Sequence, residues 1–204
     1  MEGQDYLNQI SAKARPIKKE KGGILSSKFF LVGAIGLIAL ILIIILGAII
    51  GATKTDVKKL SSVLELHINA TTDVIKTYQP NLKSSQLRSD SASLNSVLSD
   101  THKRLTDYMT EKYEYKSNKA DKKLIEEADT QKDALGNELF EAKINGHLDK
   151  VFAQKMAYEI TVIMSEEERI YRAAGNETLQ GILETSYDSL KILYDKFNEF
   201  SEAK

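Results

Sequence analysis

FFLVGAIGLIALILIIILGAIIGA, residues Phe29–Ala52, contains no charged or strongly polar side chain and is bracketed by Lys28 and Lys54. At about 1.5 Å rise per residue, a helix over this stretch is about 36 Å long, enough to cross a hydrocarbon core of about 30 Å with some tilt. Such a helix must satisfy its backbone groups internally, and no proline interrupts it. The stretch reads as a transmembrane helix. It is too long for the apolar core of a cleaved signal peptide. Cuts after Ala48 or Ala52 would place Leu46 or Ile50 where a small residue is needed, so an uncleaved signal anchor is expected.

Residues 1–28 hold six basic and three acidic side chains, with a cluster over Arg15–Lys21. Beyond the span, the nearby cations are Lys54, Lys58 and Lys59. The positive-inside bias places the tail in the cytoplasm and residues 53–204 outside, in a cell-envelope location. The tail's cations set topology on the simplest reading; contact with anionic lipid head groups is the alternative. Within the span, Gly47 and Gly51 form a GxxxG face that suits close helix–helix approach, so a homodimer is one expected state. A continuous stalk, with Val57, Leu60 and Leu64 extending that face, would let two copies pair. The rival expectation is that these three residues face only their own domain.

From Thr53 onward apolar residues recur at three- and four-residue spacing, in five segments. The first, about Thr55–Tyr78, carries Val57, Leu60, Leu64, His67/Ile68, Ile75 and Tyr78 and ends before Pro80. The second, about Asn81–Tyr115, is serine-rich at its start, then carries Leu87, Leu94, Val97/Leu98, Thr101, Leu105 and Tyr108/Met109. A turn is expected at Lys116–Lys119. The third, about Ala120–Ile144, carries Leu124, Ile125, Ala128, Leu135, Leu139 and Phe140, and Asn145-Gly146 closes it. The fourth runs about His147–Ala174 and ends at Gly175. The fifth, capped by Asn176, carries Leu179, Ile182/Leu183, Tyr187, Leu190, Leu193/Tyr194, Phe197 and Phe200. The fold class that follows is all-α: one N-terminal transmembrane helix, then an up-and-down bundle of four to five helices.

The sequence has no cysteine, which excludes disulfides, thiolate metal sites and cysteine nucleophiles. Net charge is −1 and no block is strongly basic, so nucleic acid is not an expected partner. The expected partners are the lipid bilayer and another protein. Among the histidines, His67 and His102 fall near apolar stripes, where they approach each other across a bundle or sit at its boundary with a wet tip. No histidine has the Glu-x-x-His spacing of a di-iron bundle, because Leu64, Ser99 and Ile144 stand where the glutamate would be. Glu167 lies between Ile163 and Ile170 on the inward stripe of the fourth segment. A carboxylate there needs a cation, a metal or a proton, or marks where the bundle opens to water. Tyr108, Tyr113 and Tyr115 cluster at a helix end with hydroxyls expected to stay wet. Asn69-Ala70-Thr71 and Asn176-Glu177-Thr178 match the glycosylation triplet. No phosphate loop, HExxH motif or nucleophile context appears. We therefore expect no catalytic residue, cofactor or metal, and a protein that is not an enzyme.

Residues Asn145–Phe200 carry an F-x-x-x-M helix (Phe152, Met156), a Gly-containing turn at Gly175, and a second helix reading L-x-x-I-L from Leu179. This pattern resembles ferritin-like helical domains found outside bacterial membranes. The resemblance implies the helical fold. Such domains often hold a histidine midway along the first of these helices, where this chain reads Ala157-Tyr158-Glu159, so it does not carry their metal site across. The functional expectation is an envelope protein whose outer bundle serves as an interaction or scaffold module. A membrane-tethered bundle binding a small ligand or metal is the alternative.

Overall fold

A computed structural model describes residues 56–116 and 121–202. Every described residue lies in the unit Ala52–Lys204. The expected transmembrane stretch, the basic tail, Gly47 and Gly51, and most of the Lys116–Lys119 turn lie outside the described residues. Among the described residues, no helix is long and apolar enough to cross a membrane.

Five α-helices make up the described domain: α1 (Val57–Tyr78), α2 (Ser85–Tyr113), α3 (Lys122–Ile144), α4 (Leu148–Ala173) and α5 (Glu177–Glu202). Their ends follow from local chemistry. The Asp56 side chain accepts from the Lys59 N–H, Ser84 from Leu87, Asp121 from Lys123 and Asn176 from Leu179, so each satisfies a donor that the first turn leaves open. Pro80 lies in a 3-10 turn, Gln79–Asn81, after α1. Gly146 takes φ +77° after α3, and His147 N–H returns to the Ala142 carbonyl, closing the helix with left-handed geometry. At the end of α2 it is Glu114, not a glycine, that adopts the left-handed conformation (φ 51°).

Around the core, α1 packs on α2, α2 on α5, α5 on α4 and α4 on α1, while α3 leans on the outside against α1 and α4. Short connections and cross-helix pairs set the directions. Thr101 meets Ser186 and Asp90 meets Lys196, so α2 and α5 run antiparallel. Asp149 in the first turn of α4 accepts from the Lys83 and Ser84 N–H groups at 2.9 and 2.7 Å, so α4 begins beside the α1–α2 connection. The result is an up-and-down helical bundle, as the short connections predict. Its interior repeats in threes and fours, for instance Leu87, Leu94, Leu98, Thr101, Leu105 and Met109 along α2. The Phe152 and Phe197 rings, both fully buried, meet with centroids 6.4 Å apart.

The packing corrects four expectations. α1 does not reach back to Thr55: Asp56 is extended (φ −75°, ψ 93°) and caps a helix that starts at Val57. Leu60 and Leu64 are buried inside the domain, so they offer no face for a second copy. Phe140, assigned to the core stripe of α3, is 51% exposed, because α3 touches the bundle on a narrow face of Leu135, Leu139 and Ala142. On α5 the core position belongs to Ser186 rather than its half-buried neighbour Tyr187.

Gly136 sits inside α3 with its carbonyl accepting from the Tyr78 hydroxyl at 2.7 Å. A Cβ there would meet nothing within 4 Å. Gly136→Ala therefore keeps that bond and restricts the unfolded chain. We expect stabilisation by about 1 kcal/mol, read as a rise in thermal midpoint of about 2–4 °C. A fall would mean that α3 packs more tightly than described.

Candidate functional site

α1 is the helix with the widest buried arc, because it touches α2, α3 and α4. Three neighbours demand more inward positions than an apolar stripe supplies, and the surplus is polar: Ser61, Ser62, Glu65, His67, Thr71 and Thr72 are all buried. Buried polar groups require partners, and the bonds of Glu65 and His67 define the site.

His67 reaches across to α4. Its Nε2–H donates to Glu159 Oε2 at 2.7 Å and its Nδ1–H to Glu166 Oε2 at 3.0 Å. Glu159 and Glu166 are seven residues apart, two turns of one helix, so both project from the same face of α4 and hold the ring between them. Each of the three side chains is mostly shielded, at 10% exposure for His67 and 16% for each glutamate. With a carboxylate at each nitrogen, both nitrogens carry protons and the ring is an imidazolium. Burial lowers the His67 pKa, but the charge of Glu166 and the hydrogen bonds to both glutamates outweigh it and raise it to about 10.

Glu65, two residues earlier on α1, engages α2. Its Oε1 lies 3.2 Å from His102 Nε2, and its Oε2 accepts from the Tyr115 hydroxyl at 2.6 Å. Burial, with the Glu65 bond second, pushes the Tyr115 hydroxyl up to about 12. This tie fastens the segment just after α2 to α1, and it corrects the expectation of a wet Tyr115 hydroxyl, since the residue is buried. Tyr108 and Tyr113 meet edge to face at 6.3 Å, as expected of aromatics at a helix end.

Glu167 occupies the inward stripe of α4 as its spacing predicts, but it does not mark an opening to water: it is 1% exposed. Neither carboxyl oxygen makes a hydrogen bond of ordinary geometry. The Ser186 hydroxyl, which accepts from Thr101 at 2.8 Å, is close enough only to temper the effect of burial. Burial, together with the adjacent charge of Glu166, raises the Glu167 pKa to about 8. The carboxyl is thus mostly protonated at neutral pH.

The three residues singled out by sequence are not joined by any bond to one another. His67 goes to α4, His102 to Glu65, and Glu167 faces the Thr101–Ser186 layer. His67 is not a boundary residue with a wet tip, whereas His102, about a third exposed, is at the boundary. His147 is exposed and makes no side-chain cap. Sequence reasoning missed Glu65, Glu159 and Glu166. For the last two a signal existed: a seven-residue spacing of like charges flanking the Met156–Ile160–Ile163–Ile170 stripe. Among the described residues, no group of three or more histidine or acidic side chains converges to hold a metal ion. The Glu159 and Glu166 carboxylates meet opposite nitrogens of one ring, which suits a proton-bearing ring rather than a shared ion. Comparison of the chain with protein-family models, with curated proteins and with solved structures finds no match.

Proposed function

We propose that this chain is a single-pass, membrane-anchored envelope protein whose helical bundle is a protein-interaction or scaffold module without catalytic chemistry. The anchor in this reading is Phe29–Ala52, with the tail in the cytoplasm and residues 53–204 outside; its support is the apolar length and the basic bias of the sequence. The observation that carries the scaffold reading is the use of the interior imidazole and its acids. Both nitrogens of His67 are spent on Glu159 and Glu166, so these groups tie helices together and leave no bare nitrogen for a ligand. An interaction role then belongs to the surface, where α3 exposes Phe140 and Ile144 one turn apart, at 51% and 63%. Another protein of the envelope is the partner this reading calls for.

The second reading, a bundle that binds a small ligand or metal in the manner of the ferritin-like domains that Asn145–Phe200 resembles, draws on one observation: the buried carboxyl of Glu167, which makes no hydrogen bond of ordinary geometry. One experiment separates the two. A photo-crosslinking side chain placed at Phe140 or Ile144 of the full chain in its native membrane should yield a discrete protein adduct, and elemental analysis of the purified chain should find no stoichiometric iron or zinc. Absence of adducts at both positions, together with one equivalent of metal, would replace the scaffold reading with the second.

A further inference from the structure

We propose that Glu167 is a proton-operated latch, protonated while the bundle is closed, whose ionisation loosens the seam between α4 and α5. The Glu167 carboxyl projects from a core position of α4 toward a layer in which Thr101 donates to Ser186; neither of its oxygens makes a hydrogen bond of ordinary geometry, and the nearby Ser186 hydroxyl offsets burial only in part. An ionised carboxylate in that place would need a cation, and each helix packed on α4 fails to bring one. From α1, the inward titratable groups are His67, held by Glu159 and Glu166, and Glu65, which engages His102 of α2 and Tyr115. From α3, Glu138 pairs with Lys155 of α4. The buried face of α5 is apolar apart from Ser186 and Ser201. On α4 itself the adjacent charge is Glu166, which is negative and opposes ionisation.

The closed bundle therefore selects the neutral acid, whereas an opened seam admits water to the anion. Between the ordinary carboxylate value of 4.5 and the raised value of about 8, the closed state binds a proton that the open state releases. The open-to-closed ratio then climbs about tenfold per pH unit across that range and levels off above it. The latch is independent of whether the surface or the interior serves the partner. It gives the domain a graded response to the acidity of its compartment.

Hydrogen exchange on the full chain in detergent micelles, corrected for the intrinsic pH dependence of exchange, tests this between about pH 5 and 6.5. His67 stays largely charged there, its ordinary value of 6.5 marking the upper edge of the range and its folded value lying higher. Amides of α4 and α5 around Glu167 and Ser186 should lose protection about tenfold per pH unit in the wild type, while E167Q stays level. Should E167Q fold poorly, carbon NMR of the Glu167 carboxyl in the wild type decides: the latch requires a midpoint well above 4.5. Equal pH slopes in wild type and a folded E167Q, or a Glu167 midpoint in the ordinary carboxylate range, would overturn it.

Discussion

His67→Ala is expected to destabilise the helical domain by about 3–5 kcal/mol, the cost of removing one partner from a buried ion pair. The reason is the residue it leaves behind. Glu159 and Glu166 project from one face of α4 with 16% exposure each, and His67 supplies the proton-bearing nitrogen that each of them accepts from. Without the ring, two carboxylates face a hole between α1 and α4 with no cation between them. The lost packing adds to the same sign. The full chain in detergent, followed by circular dichroism at pH 7, should lose about 10 °C in thermal midpoint. Adding Glu159→Gln and Glu166→Gln to His67→Ala should recover a large part of the loss, because the unpaired charges are then gone. A midpoint unchanged by His67→Ala would show that the α1–α4 tie carries no stability.

The second large effect is the direction of the pH dependence. The folded pKa of His67 lies near 10, above its ordinary 6.5, so its contribution is complete below about 6.5 and is lost as pH rises through about 10. Glu167 is a carboxyl whose folded pKa, near 8, is also above its ordinary 4.5. The fold favours its protonated form, so its contribution likewise declines as pH rises from about 4.5 to about 8. Both slopes have the same sign, and their windows overlap between about pH 6.5 and 8. The denaturation midpoint should therefore fall steadily from about pH 5 to pH 10, by the equivalent of a few kcal/mol. Glu167→Gln should flatten the acidic half of that profile, and His67→Ala the alkaline half. A midpoint that rises from pH 5 to pH 9 would contradict the assignment of both groups.

Helix positions were legible because each segment carries its own stop signals. Pro80, Asn145-Gly146 and Gly175 place three of the four connections, and the observed ends fall close to them. Glu167 was legible as an inward residue because a single helix fixes which side chains share a stripe. What one helix cannot fix is what lies opposite. The partners of His67 stand 92 and 99 residues away, and Tyr115 is 50 residues from Glu65. These pairings depend on which helices become neighbours, which the short connections constrain only in part. Phe140 shows the complementary failure: α3 repeats apolar residues like a core helix, yet it leans on the bundle from outside and leaves that ring in water. The first helix starts at Val57, rather than at about Thr55, for a local reason: the capping geometry of Asp56 competes with helix continuation.

His67 acts as a cross-helix cation rather than a ligand in the bundle proposed above. Nitrogen NMR of its ring in the full chain at about pH 8 reads this directly. Both ring nitrogens should be protonated, well above the pH at which a free histidine loses its proton, and adding zinc should leave the signals in place. A ring with one bare nitrogen at that pH, shifting on stoichiometric zinc, would contradict the account and make the interior of the bundle a metal site.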